Sequence, residues 1–224
     1  MNDEKSTLLQ LILDTGVLLF GDFTLKSGRR SPYFFNLGAI SQGGAVSALG
    51  DAYAQAIVAA GIEFSCVFGP AYKGIPIAVA TAEALARRGR DVGWAFNRKE
   101  AKGHGEGGLF VGAPVAGRLV LVDDVLTAGT AVREAVGQIA ATDAELAGVF
   151  ITMDRQEIVE ASTGRTAVQA LQEELGVPVQ SLLNLQDVIH YLDLNSHPDK
   201  YPPALLDELK RYQAAHCVNE RTNE

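Results

Sequence analysis

The sequence predicts an α/β fold: a central, mostly parallel β-sheet flanked by helices, with a small cap built from N-terminal residues. Three observations predict it. From residue 43 onward, short β-branched apolar runs alternate with longer stretches of helical periodicity, the rhythm of a parallel sheet with right-handed crossovers. One run, Leu119-Val-Leu-Val122, is apolar without alternation and reads as a strand buried on both faces. Asp123 and Asp124 follow it at once, then the small, hydroxylated turn Thr127-Ala128-Gly129-Thr130, then a helical pattern with Val132, Val136, Ile139 and Ala140 on one face. Strand, acid pair, small-residue turn and helix N-terminus describe an anion site at the carboxyl edge of an open sheet.

The elements follow in order. Residues 6 to about 15 carry Leu8, Leu9, Leu11 and Ile12 at helical spacing behind a Ser6 or Thr7 cap, and Gly16 ends the helix. Phe20 to Asn36 reads as two short strands joined by the turn Lys26-Ser-Gly-Arg29. These pieces match no βαβ unit, so residues 1–42 are expected to form an N-terminal helix and hood strands. The core, 43–218, then comprises a helix over Gly44–Ala60, a strand over Phe64–Phe68, a helix over Gly74–Arg88 and a strand over Val92–Phe96. A basic glycine-rich loop, 98–108, precedes the strand 119–122 and a helix over 130–141. A strand over Leu146–Met153, a helix over 164–175 and a strand over Val177–Leu183 lead into C-terminal helices. Residues 219–224 are a polar tail expected to fray.

A chain of 224 residues is long enough for one generous domain with a substantial core. Hydrophobic content of 47% with 21% charged residues is ordinary for a soluble globular protein, and the apolar runs fall short of a membrane span. The polar, acidic start Met1-Asn-Asp-Glu-Lys5 is no secretory signal. Cys66 and Cys217 are too far apart in sequence for a disulfide framework or a metal-ligand spacing, so a reduced, cytoplasmic setting is expected. The net charge of −8 argues against bulk attraction to nucleic acid or anionic membrane. Yet Arg98, Lys99, Lys102 and His104 fall within seven residues, and one compact basic loop on an acidic protein suits a small polyanion.

The chemistry can be read segment by segment. The turn after the acid pair offers amides and a helix dipole for a phosphate, and the carboxylates suit sugar hydroxyls or a hydrated divalent cation. A phosphorylated sugar satisfies both, although paired acids at a strand end also serve as caps or solvated loop residues. Phe68-Gly-Pro-Ala-Tyr-Lys-Gly-Ile75 follows a strand directly. Its small residues admit an anion to the backbone and Lys73 supplies a point charge; the plain alternative is a βα turn with a surface lysine. Residues 103–108 hold four glycines in six, a composition suited to a loop closing over substrate. Its cations would meet charge gathering on a diphosphate, whereas His104 taken alone reads as an ordinary solvated histidine. Phe34 and Phe35, beside Tyr33, read as core or as a cover for a planar base; strand alternation lets only one of the two face a given side. Arg155, in Met153-Asp-Arg-Gln-Glu157, reads as a surface residue or as a planar fork for a carboxylate. No Ser-His-Asp or Cys-His set is evident.

Asp123-Asp-Val-Leu-Thr-Ala-Gly-Thr130 resembles the phosphoribosyl-diphosphate motif of the type I phosphoribosyltransferases, which identifies only that superfamily. Four other segments resemble its orotate branch: the hood Phe23-Thr-Leu-Lys-Ser-Gly-Arg-Arg-Ser-Pro-Tyr-Phe-Phe-Asn36, the diphosphate loop Phe68–Ile75, the catalytic loop Arg98-Lys-Glu-Ala-Lys-Gly-His-Gly-Glu-Gly-Gly108, and Asp154-Arg-Gln-Glu157. One departure is Gly103, where an aspartate is expected; it removes an acidic neighbour, adds flexibility and leaves the cations in place. The resemblance runs from about residue 17 to 157, and more loosely beyond.

The resemblance implies a type I phosphoribosyltransferase fold and the transfer of 5-phosphoribosyl to orotate, giving orotidine 5′-monophosphate and diphosphate in UMP biosynthesis. It implies Mg²⁺, held through substrate and water near Asp123 and Asp124 with no direct protein ligand. Asp123 and Asp124 would hold the ribose hydroxyls. Thr127, Ala128, Gly129 and Thr130, with Val125, Leu126 and Ala131 in the same segment, would hold the 5′-phosphate. Tyr72, Lys73, Arg98 and Lys99 would grip the diphosphate, and Lys102 and His104 would close over it, with Lys102 the chief catalytic contributor. Phe34, Phe35 and Arg155 would select orotate, Thr127 would lie near the base, and Lys26 would touch both substrates. A homodimer is implied, with the 98–108 loop reaching the neighbouring site. Two alternatives stand beside this reading. A phosphoribosyltransferase for a purine or uracil is opposed by Arg155 and the paired phenylalanines. A nucleic-acid-binding sensor on the same fold is opposed by the short N-terminus and the acidic charge.

Overall fold

The computed structural model describes residues 3–25, 27–102, 108–126, 129–160, 162–195 and 199–218, with the backbone alone for residues 101 and 102. Helix α1 (Asp3–Asp14) buries Leu8, Leu9 and Ile12, and Lys5 ties it to Asp187 through a 2.7 Å ion pair. The hood follows as an antiparallel pair, β1 (Leu18–Thr24) and β2 (Arg30–Phe35), in register from Leu18 opposite Phe35 to Thr24 opposite Arg30. Then come α2 (Gly43–Ala59), β3 (Cys66–Phe68), α3 (Gly74–Arg87), β4 (Gly93–Lys102), β5 (Gly108–Gly112), β6 (Ala116–Val125), α4 (Thr130–Ile139) and β7 (Asp143–Asp154). A short antiparallel pair, β8 (Ile158–Glu160) and β9 (Arg165–Thr166), precedes α5 (Ala167–Leu175), β10 (Val179–Asn184), α6 (Leu185–Leu194) and α7 (Pro203–His216).

Among the described residues the main sheet runs β10-β7-β6-β3-β4-β5. Its first five strands are parallel and β5 is antiparallel at the edge. The predicted α/β class and mostly parallel sheet are therefore present. Two local expectations need correction. Strand β4 does not stop at Phe96 but continues to Lys102, and β5 returns along it with Phe96 opposite Val111 and Asn97 opposite Phe110. The basic segment thus begins as strand and not as loop. Cross-strand pairing extends β4 beyond its apolar run, and Leu-Phe-Val between two glycines is too short to show a period of its own.

The central strand works as its sequence predicts. Val120 and Val122 face the layer that contains Leu49, Tyr53, Ile57, Ile77 and Leu85, from α2 and α3. Leu119 and Leu121 face the layer that contains Val132, Ala135, Ile139 and Leu171, from α4 and α5. Alternate residues of one strand serve opposite layers, and burial on both sides is why the run is apolar throughout. The first of these clusters also takes in Leu9, Leu18 and Tyr33, so the hood shares the main core.

Candidate active site

In a parallel sheet the carboxyl ends lie along one edge. Here β3 delivers Gly69 to Lys73, β4 delivers Arg98 and Lys99, β6 delivers Asp123 and Asp124, and β7 delivers Asp154 to Glu157. The strand order places the acid pair beside the first of these loops, since β6 and β3 are neighbours with Leu121 opposite Phe68.

The loop after β3 is closed tightly on itself. The Gly69 N–H donates to the Ala95 carbonyl at 2.9 Å, and the Gly74 N–H to the Pro70 carbonyl at 3.0 Å. A Cβ at Gly69 would lie 2.0 Å from the Gly74 carbonyl oxygen, so only glycine fits there. The Ala71–Tyr72 peptide is cis. Asn97 braces the loop from β4: its Oδ1 accepts from the Ala71 N–H at 3.0 Å, and its Nδ2 donates to Gln138 at 2.8 Å. Tyr72 is 67% exposed, with Lys99 Nζ 4.7 Å above its ring in cation–π contact. Lys73 Nζ lies 2.7 Å from Asp124 Oδ2.

The acid pair is asymmetric. Asp123 is 8% exposed, and its Oδ1 accepts from the Asp124 N–H at 2.9 Å. Burial, followed by the adjacent negative charge of Asp124, pushes the Asp123 carboxyl up to about 7 against the opposing pull of the Asp124 amide and Lys73. Beneath it, the Tyr53 hydroxyl of α2 lies 2.7 Å from the Asp123 carbonyl and 2.6 Å from Thr152 Oγ1. Asp124 is better solvated and caps the Val125 N–H at 2.8 Å. Leu126, just past β6, is buried in the core. Gly129 enters α4 with φ of +69°, and Thr130 and Ala131 stand exposed at the helix start. Such an N-terminus presents free amides and the positive end of the helix dipole to the sheet edge.

The hood reaches this edge through the end of β7. The two phenylalanines divide as strand alternation requires: Phe35 is 7% exposed in the core, whereas Phe34 is 39% exposed and lies against Phe23 with ring centroids 5.5 Å apart. Arg155 is not the surface residue a strand end suggests. It is 7% exposed, its Nη2 donates to Ser31 Oγ of β2 at 3.0 Å and its Nε to Glu157 Oε1 at 2.6 Å, and its guanidinium covers the Tyr33 ring at 4.1 Å. The end of β7 is thereby fastened to the hood.

The structure thus brings together Tyr72, Lys73, Lys99, Asp123, Asp124 and Arg155 at one sheet edge, while Phe34 stands exposed on the hood strand that Arg155 contacts and Phe35 is turned into the core. Arg98 instead donates to the Gly108 carbonyl at 3.1 Å across the β4–β5 ribbon. Lys26, the Lys102 side chain, His104, Thr127 and Ala128 lie outside the described residues. Sequence reasoning passed over Tyr53, Asn97 and Glu157. Asn97 left a trace, a polar amide closing an apolar strand, since a buried amide must find partners. Tyr53 left a fainter one, a phenol inside an alanine-rich helix.

A family model described as a phosphoribosyl transferase domain matches residues 36–164. The orotate phosphoribosyltransferase of Xanthomonas campestris pv. campestris (strain B100) is 52% identical over 213 residues, 95% of this chain and 97% of its own. The chain belongs to the orotate phosphoribosyltransferase family. Among solved structures, the family's enzyme from Francisella tularensis is similar with a TM-score of 0.82 and 36% identity, covering 95% of this chain and all of that one. The Mycobacterium tuberculosis member, solved in complex with 5-phospho-α-D-ribosyl 1-diphosphate, is similar at a TM-score of 0.62 and 25% identity over 83% of this chain and 98% of its own. The fold is accordingly that of the type I phosphoribosyltransferases.

Proposed function

We propose that this protein transfers the 5-phosphoribosyl group from phosphoribosyl diphosphate to orotate, releasing diphosphate and forming orotidine 5′-monophosphate in pyrimidine biosynthesis. Family membership carries the reaction. The single structural observation that carries the choice of base is Arg155, a buried cation at the carboxyl edge, fixed against the hood strand that bears Phe34.

The family resemblance, with the positions of the described residues, supports the following roles. Displacing diphosphate from the anomeric carbon passes through an oxocarbenium-like state, so the protein's task is positioning and charge stabilisation. The α4 N-terminus takes the 5′-phosphate. Asp123 and Asp124 take the ribose hydroxyls. Lys73 leaves Asp124 for the diphosphate, joined by Tyr72 and Lys99, and Lys102 and His104 close over it. Phe34 stacks on the pyrimidine, Arg155 meets its carboxylate, and Lys26 touches both substrates. Two adjacent carboxylates suit a hydrated Mg²⁺, which keeps most of its waters and binds through substrate phosphates. When bound, the ion would neutralise diphosphate charge, and the carboxylates would orient its waters.

The active form is a homodimer in which the 98–108 segment serves the neighbouring site, a reading that rests on family membership. No described helix is long and apolar enough to cross a membrane. A cytoplasmic setting is supported by the unpaired, buried Cys66 and Cys217. The test is the loss of orotate absorbance with purified protein, Mg²⁺ and phosphoribosyl diphosphate, run beside uracil, adenine and hypoxanthine. Metal-dependent turnover of orotate alone is expected, and turnover of another base in its place would refute the assignment.

A further inference from the structure

Arg155 is aimed by residues from the far end of the chain. The Tyr212 hydroxyl of α7 donates to Glu157 Oε1 at 2.6 Å and accepts from Arg155 Nη2 at 3.4 Å, while Arg155 Nε donates to that same Glu157 oxygen. Tyrosine, carboxylate and guanidinium therefore close a triangle. The other Glu157 oxygen accepts from Arg29 Nη1 at 3.0 Å, and the Tyr212 ring meets Tyr33 edge-on, with centroids 5.9 Å apart. The backbone is gripped as well. Cys217 Sγ donates to the Arg155 carbonyl at 3.5 Å, and the Val218 N–H to the Gln156 carbonyl at 3.0 Å. Three successive residues, 155 to 157, are each held by α7 or by the two residues that follow it.

Stability does not by itself account for this arrangement, because burying an ion pair seldom gains over a well-packed apolar set. What the arrangement does fix is direction. With Nε and Nη2 engaged, the guanidinium plane is set, and among the described residues Nη1 has no hydrogen-bond partner. We infer that Tyr212 and Glu157 are positioning residues for orotate, so that α7 sets base recognition by presenting Arg155 Nη1 to the substrate carboxylate. The inference rests on the reading of Arg155 given under Proposed function.

Tyr212→Phe keeps the ring and deletes only the hydroxyl. A lost hydrogen bond to a charged pair should raise the orotate KM about tenfold, while kcat and the phosphoribosyl-diphosphate KM stay within about twofold, the pattern of lost ground-state binding. Glu157→Gln, which keeps an acceptor but loses the charge, should move the same constant in the same direction. A change in both KM values together would mark a general structural effect and overturn the inference, as would an unchanged orotate KM. Arg155→Ala separates the two levels of the argument. If it raises the orotate KM selectively while Tyr212→Phe and Glu157→Gln do not, the positioning role fails and the reading of Arg155 stands. If Arg155→Ala leaves the orotate KM unchanged, both fail.

Discussion

Lys73 Nζ and Asp124 Oδ2 stand 2.7 Å apart, so the lysine after β3 is paired with the second acid at the end of β6. The cation proposed for the diphosphate and an anion proposed for the ribose thus neutralise each other across the gap where substrate would sit. The pair is half-exposed on the lysine side, and such pairs contribute little to folding.

Lys73→Gln should therefore change the free energy of unfolding by no more than about 1 kcal/mol while raising the KM for phosphoribosyl diphosphate by about tenfold or more. Urea unfolding and initial rates measure the two effects. A loss of several kcal/mol would show the pair to be structural.

Asp123 sets a pH dependence with a definite sign. Its carboxyl lies at about 7 in the folded protein, above its ordinary 3.8. Between those values the folded form holds a proton that the unfolded chain has released, so rising pH favours unfolding by up to about 1.4 kcal/mol per unit. The contribution is fully present below the unfolded value and is gone above the folded one. Asp123→Asn keeps the acceptor for the Asp124 amide and removes the titration. Its melting temperature relative to wild type should be higher at about pH 8 than at about pH 4.5, at the expense of kcat. An equal difference at both pH values, read by calorimetry, would contradict the raised carboxyl.

The same titration should appear in binding. Ribose hydroxyls and hydrated metal favour the ionised carboxylate, so the wild-type KM for phosphoribosyl diphosphate should rise as pH falls below about 7. The Asp123→Asn profile, measured alongside, cancels the titration of the sugar phosphates themselves. Parallel profiles would remove Asp123 from the binding step.

Phe34 and Phe35 should separate cleanly. Truncating Phe35 in the core should destabilise by about 3–5 kcal/mol. Phe34→Ala should forfeit about 1 kcal/mol of contact with Phe23 and weaken orotate binding. Chemical unfolding with orotate titration distinguishes them, and equal stability losses would refute the division.

Lys102→Ala should lower kcat by about a hundredfold or more, the scale of removing one charge that acts on the developing anion, with an unchanged melting temperature. Undiminished single-turnover rates would take Lys102 out of the chemistry.

Much of this is legible in the amino-acid sequence. The apolar run 119–122 announces a strand buried on both faces, and the residues after it announce an anion site, because both signals are local. The alternation rule separates Phe34 from Phe35 without saying which is inside; that depends on where the hood meets the core. Strand β5 is not legible in the sequence because its pairing with β4, not its own residues, makes it a strand. The braces are invisible for a related reason. Tyr53 acts on Asp123 across seventy positions and Tyr212 on Glu157 across fifty-five, and no window of neighbouring residues carries such a relationship.

The loop between β3 and α3 has a consequence for how such proteins diverge. Gly69 and Gly74 occupy each other's space: a Cβ at Gly69 would meet the Gly74 carbonyl at 2.0 Å, and one at Gly74 would meet the Gly69 carbonyl carbon at 2.7 Å. In both cases backbone atoms stand within 3 Å, whatever the neighbouring side chains do. No smaller side chain elsewhere can make room, so neither substitution has a compensating partner. The two positions are frozen jointly, and drift in this loop is confined to the residues between them.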